Sequence, residues 1–170
     1  MKKLLCALYL LGALCALAFA DEGRDSVTGF GLDFALTGRN NDFALSTAVS
    51  SPWLFRNSLG FRVNTDYFVP SRVRNDPYGF FALDCAVMGG HLMRTANIRL
   101  YGGGGTLFLF PLKKSESALK ISGEGFFGFE FFMDEKPAGM SLFTEIGGGG
   151  FGFHAKAGMR WTFPMGKKSM

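Results

Sequence analysis

From residue 118 to residue 132 the chain reads ALKISGEGFFGFEFF, and its apolar and polar positions alternate with a period of two. Leu119, Ile121, Phe127, Phe129 and Phe131 take the odd positions, together with Gly123 and Gly125. Lys120, Ser122, Glu124, Gly128 and Glu130 take the even ones. Successive side chains of a strand point to opposite faces, so this segment has one greasy face and one small or charged face. The same division recurs along the chain and predicts eight strands near 27–37, 42–51, 57–68, 79–89, 96–109, 118–132, 139–147 and 152–163. Turn-forming residues separate them: Gly38-Arg39-Asn40-Asn41, Asn75-Asp76-Pro77, Lys113–Ser117 and Asp134-Glu135-Lys136-Pro137. No segment after residue 20 shows a helical period. The expected fold class is all-β, an eight-stranded antiparallel up-and-down barrel.

Alternation does not say which face points outward; volume does. The greasy face holds about 27 large apolar side chains, among them Phe30, Leu32, Phe34, Phe43, Leu45, Leu59, Phe61, Phe81, Leu83, Leu100, Leu142, Ile146, Met159 and Trp161. An eight-stranded barrel has an interior just wide enough for side chains or one small ligand, so that set would overfill it. The other face carries small residues such as Gly29, Gly31, Ala44, Ser46, Ala48, Gly60, Ala82, Ser122 and Gly158. The grease is therefore expected to face lipid, which makes the barrel transmembrane and disfavours a soluble, lipocalin-like periplasmic barrel.

The opposite face also carries Asp33, Asp66, Asp84, Glu124, Glu130 and Glu145 against Arg62, Arg99, Lys120, Lys156 and Arg160. Buried charges persist when paired and hydrogen-bonded. These eleven residues are expected to form a luminal ion-pair network that plugs the barrel. Tyr67 and Tyr78 would mark one membrane interface, and Trp53 and Trp161 the other, periplasmic one.

Residues 1–20 read as a cleaved signal peptide: Lys2 and Lys3, an apolar run from Leu4 to Leu14, then Ala18-Phe19-Ala20. Residues 21–170 then form one domain. Of the three cysteines only Cys85 stays, so no intrachain disulfide is expected, and Cys85 is read as a small hydrophobe beside Leu83 and Val87. Loss of Lys2 and Lys3 takes the formal charge from +4 to +2, near balance, which argues against nucleic acid as a partner.

Residues 97–110, NIRLYGGGGTLFLF, resemble residues 141–154, SLFTEIGGGGFGFH, and suggest duplicated hairpins. Neither glycine quartet is followed by the Lys-Ser/Thr of a phosphate loop, so strand bends and close packing explain them. Catalysis is not expected. His154 is followed by Ala155 and Lys156 where a lipid deacylase would need a serine, and His91 falls in a predicted turn without a supporting serine or acid. Two isolated histidines do not make a metal site, and no cofactor is implied.

The segment Gly158-Met159-Arg160-Trp161-Thr162-Phe163 ends the last strand on outward aromatics and resembles the carboxy-terminal signal read by the outer-membrane assembly machinery. With the signal peptide, the chain resembles the small eight-stranded outer-membrane proteins, the class containing the OmpA and OmpX barrels. SLFTEIGGGGFGF and AGMRWTF look closest to small spirochaete-type barrels of unassigned function. The resemblance implies residence in the bacterial outer membrane, Trp161 and Phe163 as the assembly signal, and membrane lipid and the assembly machinery as partners of a monomer. Arg39, Arg72, Arg74, Lys113 and Lys114 are expected in outer loops, where anionic headgroups or host polyanions are the available contacts. The expected role is structural or surface-interacting. A narrow porin-like channel and a lipid-modifying enzyme are the alternatives.

Overall fold

The computed structural model describes residues 29–55, 58–69, 79–112, 119–133 and 139–164. The expected signal peptide, Tyr78, the loop cations Arg72, Arg74, Lys113 and Lys114, and the tail after Pro164 lie outside the described residues. Eight strands follow in chain order: β1 Gly29–Arg39, β2 Asp42–Ser50, β3 Leu59–Phe68, β4 Phe80–Met93, β5 Ile98–Pro111, β6 Lys120–Phe132, β7 Gly139–Gly149 and β8 Gly152–Pro164. Each pairs antiparallel with its neighbour in sequence, and β8 pairs with β1 to close the barrel. Closure removes both sheet edges. One end, here the base, holds Gly29, Pro164 and the connections after β2, β4 and β6. The other end is the tip.

The alternation of the sequence becomes an alternation of burial. On β2, Asp42, Ala44, Ser46, Ala48 and Ser50 are buried, while Phe43, Leu45, Thr47 and Val49 are exposed. The same inversion holds on the other strands, with Phe30, Phe34, Leu36, Ile121, Phe127, Ile146, Met159 and Trp161 all on the outer wall. Cys85 is also exposed there, opposite Val63, so it packs into no core.

Strand limits differ from expectation mainly at β4. Leu92 and Met93 pair with Arg99 and Ile98, which carries the hairpin to a three-residue 3₁₀ turn at Arg94–Ala96 and puts His91 in a strand, not a turn. At the tip, Asn40 takes φ 54° in the β1–β2 turn, a left-handed conformation that asparagine tolerates. The two glycine quartets do different work. Gly102 to Gly105 lie within β5, whereas Gly147 to Gly149 end β7 and Gly150 enters the turn. Both align on β6, where Gly104, Gly125 and Gly148 are register partners across three strands. Inward-facing glycines make room for bulky luminal groups. A Cβ on Gly128 would stand 2.8 Å from both Tyr101 and Glu145.

Candidate functional site

Among the described residues, polar chemistry concentrates in the lumen, which is filled in layers. At the base, the register sets Asp33 opposite Arg160. Arg160 donates from Nε to Asp33 Oδ1 at 2.7 Å and from Nη2 to Asp33 Oδ2 at 2.8 Å, a bidentate pair. Its Nη1 donates to Glu130 Oε2 at 3.2 Å, and Arg99 Nη1 donates to the same oxygen at 2.8 Å. Ser141 Oγ donates to the other Glu130 oxygen at 2.7 Å. Glu130 is 0 % exposed, and two arginines and a hydroxyl answer its charge.

Below this layer, the chain after β2 turns back into the barrel mouth. Trp53 is 5 % exposed, with the Arg99 guanidinium 4.4 Å from its ring centroid. Trp53 packs in a cluster with Ala86, Met88, Tyr101 and Phe126. A weakly hydrated guanidinium on an aromatic face suits a site closed to water. This corrects the expectation that Trp53 marks a membrane interface: the tryptophan is an internal stopper, and only Trp161 is outward.

Mid-lumen, Arg62 donates through both terminal nitrogens to Glu145, on the opposite side of the barrel. Tyr101 Oη donates to Glu145 Oε1 at 2.7 Å, and the Arg62 guanidinium lies 4.5 Å from the Phe126 ring centroid. Towards the tip, Arg39 Nη2 donates to Glu124 Oε2 at 2.7 Å. His154 Nδ1 stands 3.3 Å from Arg39 Nη2 and 3.8 Å from Glu124 Oε2. Lys156 Nζ is 3.5 Å from Asp66 Oδ1, which also accepts from Asn64 Nδ2 at 2.9 Å. Thr37 and Ser46 share a hydrogen bond of 2.5 Å. An apolar cap closes the tip: Ala44, Phe68, Ala82 and Leu107, with Phe80, Leu109 and Phe151 against them. Phe68 and Phe80 stack at 4.1 Å.

Asp33, Arg62, Asp66, Asp84, Arg99, Glu130, Glu145, Lys156 and Arg160 are all buried in the lumen, and Glu124 is nearly so. Lys120 differs. Its position on β6 has luminal parity, but it is exposed at the tip rim, and Glu124 takes Arg39 as its partner instead. Arg39 itself was expected in an outer loop; it is 4 % exposed inside the barrel. Its parity with Asp33, Ala35 and Thr37 along β1 carried that signal. Asp84 is buried without an ion pair to a described residue, and its Oδ1 meets no hydrogen-bond partner. Tyr101, Phe126 and Phe143 are luminal residues that alternation marks, since each shares parity with a luminal charge on its strand. Trp161 and Phe163 lie exposed on the outer wall of β8.

What this arrangement does chemically is fill the barrel with paired charge. Apolar caps stand at both ends and crossed ion pairs lie between them. Among the described residues, no three His, Cys, Asp or Glu side chains are grouped to hold a metal ion.

No protein-family model and no curated protein matches the sequence. Solved structures do match the fold. The N-terminal β-barrel domain of Pseudomonas aeruginosa OprF superposes with a TM-score of 0.62 at 7 % identity, over 81 % of this chain and 99 % of that one. Neisserial surface protein A superposes with a TM-score of 0.50 at 11 % identity, over 80 % and 96 %. The chain has the closed eight-stranded antiparallel fold of these small outer-membrane barrels.

Proposed function

We propose that this chain is an integral protein of the bacterial outer membrane, closed to flow, with a structural or surface-interacting role in the envelope. The observation that carries the reading is the inversion of the molecule. Among the described residues, 25 large hydrophobic residues are exposed, from Phe30 on β1 to Phe163 on β8, while the luminal arginines and carboxylates are buried. A soluble monomer rarely exposes a contiguous apolar patch larger than a few hundred Å². Hydrocarbon is the solvent that suits such a wall, and a closed barrel leaves no backbone group unpaired within it. With an even number of strands the base faces the periplasm, and Trp161 and Phe163 serve there as the assembly signal.

The lumen supports a closed barrel, because Trp53 and the Phe68–Phe80 stack stop both mouths. The non-catalytic part of the reading rests on His154. It is held by Arg39 and Glu124, and among the described residues no hydroxyl is hydrogen-bonded to it. Membrane lipid and the assembly machinery are the partners this reading requires, and the protein acts as a monomer.

Fractionation tests the location. The protein is expected to need detergent for release and to show heat-modifiable gel mobility; release into plain buffer removes the membrane assignment. Planar-bilayer recording tests the closed lumen. A silent bilayer is expected, and stable nanosiemens-scale steps from the monomer mean the interior conducts.

A further inference from the structure

Among the described residues, most luminal charges fall into named pairs, and Asp84 stands apart from them. Arg39 holds Glu124, Arg62 holds Glu145, Lys156 holds Asp66, and Arg99 and Arg160 together hold Glu130 and Asp33. Asp84 has no such cation. It is 2 % exposed, and its Oδ1 meets no donor among the described residues. Its register partners are Asn64 on β3 and Leu107 on β5, the second of these 0 % exposed in the tip cap. The charged groups that act on it are Glu124 on β6, Arg62 and Asp66 on β3, and Lys156 on β8. Both of those bases are already engaged by other carboxylates.

A carboxylate shut away from water without a counter-charge is costly, so a resident positive charge is the natural completion of this layer. The chemistry around Asp84 is that of a hard-cation site. Asn64 is the register partner of Asp84, and with its amide nitrogen donating to Asp66 the amide oxygen is the atom it has left to offer a cation. Asp66 adds a carboxylate one luminal position further along β3, opposite Ala82. Oxygen donors of this kind suit sodium-like and calcium-like ions. Asp84 brings a single negative charge that no described cation pairs with, which suits the monovalent class.

We propose that Asp84, with Asn64 and Asp66, forms a binding site for one small monovalent cation beneath the tip cap. The site belongs to the lumen, and its occupancy does not depend on what surrounds the outer wall. It therefore stands or falls separately from the membrane reading.

The test uses the full mature chain refolded in detergent micelles, with thermal unfolding followed by band shift on gels. Sodium chloride is titrated against choline chloride at constant ionic strength. The unfolding midpoint is expected to climb by several degrees with the logarithm of sodium concentration, since a ligand bound only by the folded state stabilises it by mass action. Choline, too large for the site, gives no rise. Asp84→Asn is expected to abolish the sodium response and leave a midpoint at or above that of the wild type in choline. Asn64→Ala is expected to shift the response to higher sodium concentrations. A wild-type midpoint indifferent to sodium overturns the proposal without any variant. So does a midpoint that ignores sodium yet rises on acidification in the wild type but not in Asp84→Asn, which assigns the neutralising charge to a proton.

Discussion

Two cations project into the lumen from the same face of β8, and they are held in opposite ways. Arg160, near the base, spreads three donors over Asp33 and Glu130 at 2.7, 2.8 and 3.2 Å. Lys156, nearer the tip, sits 3.5 Å from a single oxygen of Asp66. The planar guanidinium matches a carboxylate in two directions at once, while the ammonium acts as a point charge on a flexible stem. The carboxylates follow the same division. Both oxygens of Asp33, Glu130 and Glu145 accept hydrogen bonds, whereas Asp84 has no ion-pair partner among the described residues. The base and middle of the barrel are thus geometrically fixed, and the tip is held by looser electrostatics.

The comparison breaks most directly at Arg160. Arg160→Ala strands buried Asp33 and takes one of two arginines from Glu130, and removing one partner of a buried pair costs about 3–5 kcal/mol. A urea titration of the refolded barrel should show that loss, and an effect no larger than that of removing Lys156 ends the distinction. Trp53→Ala comes next. Truncating a buried aromatic costs about 3 kcal/mol at the lower edge of its range, the edge expected here because water can fill the space the missing ring leaves at the mouth. The same titration reads it, and a change near zero means the tryptophan fills the mouth without holding it. The smallest effect belongs to Lys156→Met, about 2 kcal/mol, because the lost contact is a single long one and Asn64 still donates to Asp66. Double-mutant cycles sharpen all three: coupling between Asp33 and Arg160 should exceed that between Asp66 and Lys156.

The outer wall was legible because its rule is local. A period of two sorts Phe127, Phe129 and Phe131 from Glu124 and Glu130 without knowledge of any other strand. Closure and strand order followed from even-length segments and short connections. The fillings of the lumen were harder for two physical reasons. Partner choice is settled across the barrel: Arg39 meets Glu124 through 85 residues of sequence separation, which no local spacing encodes. Lys120, by spacing the obvious partner for Glu124, ends at the rim because the β5–β6 strands stop there. Trp53 lies off any strand, so alternation gave it no face, and only the turn of the chain back into the mouth shows its place. Phe126 and Tyr101 were marked by parity, yet their bulk reads as lipid-facing until the facing glycines are seen to yield them space.

The bidentate pair between Asp33 and Arg160 also bears on how such a cylinder comes into being. One partner belongs to the opening strand and the other to the closing one, so the seam where the two ends of the sheet meet is fastened by side chains 127 positions apart. Until that final strand arrives, Asp33 stands bare in an unfinished sheet, while Glu130 has only Arg99 and Ser141 to answer it. Ring closure and neutralisation of Asp33 are then a single late event, and contacts so distant in sequence are slow to form.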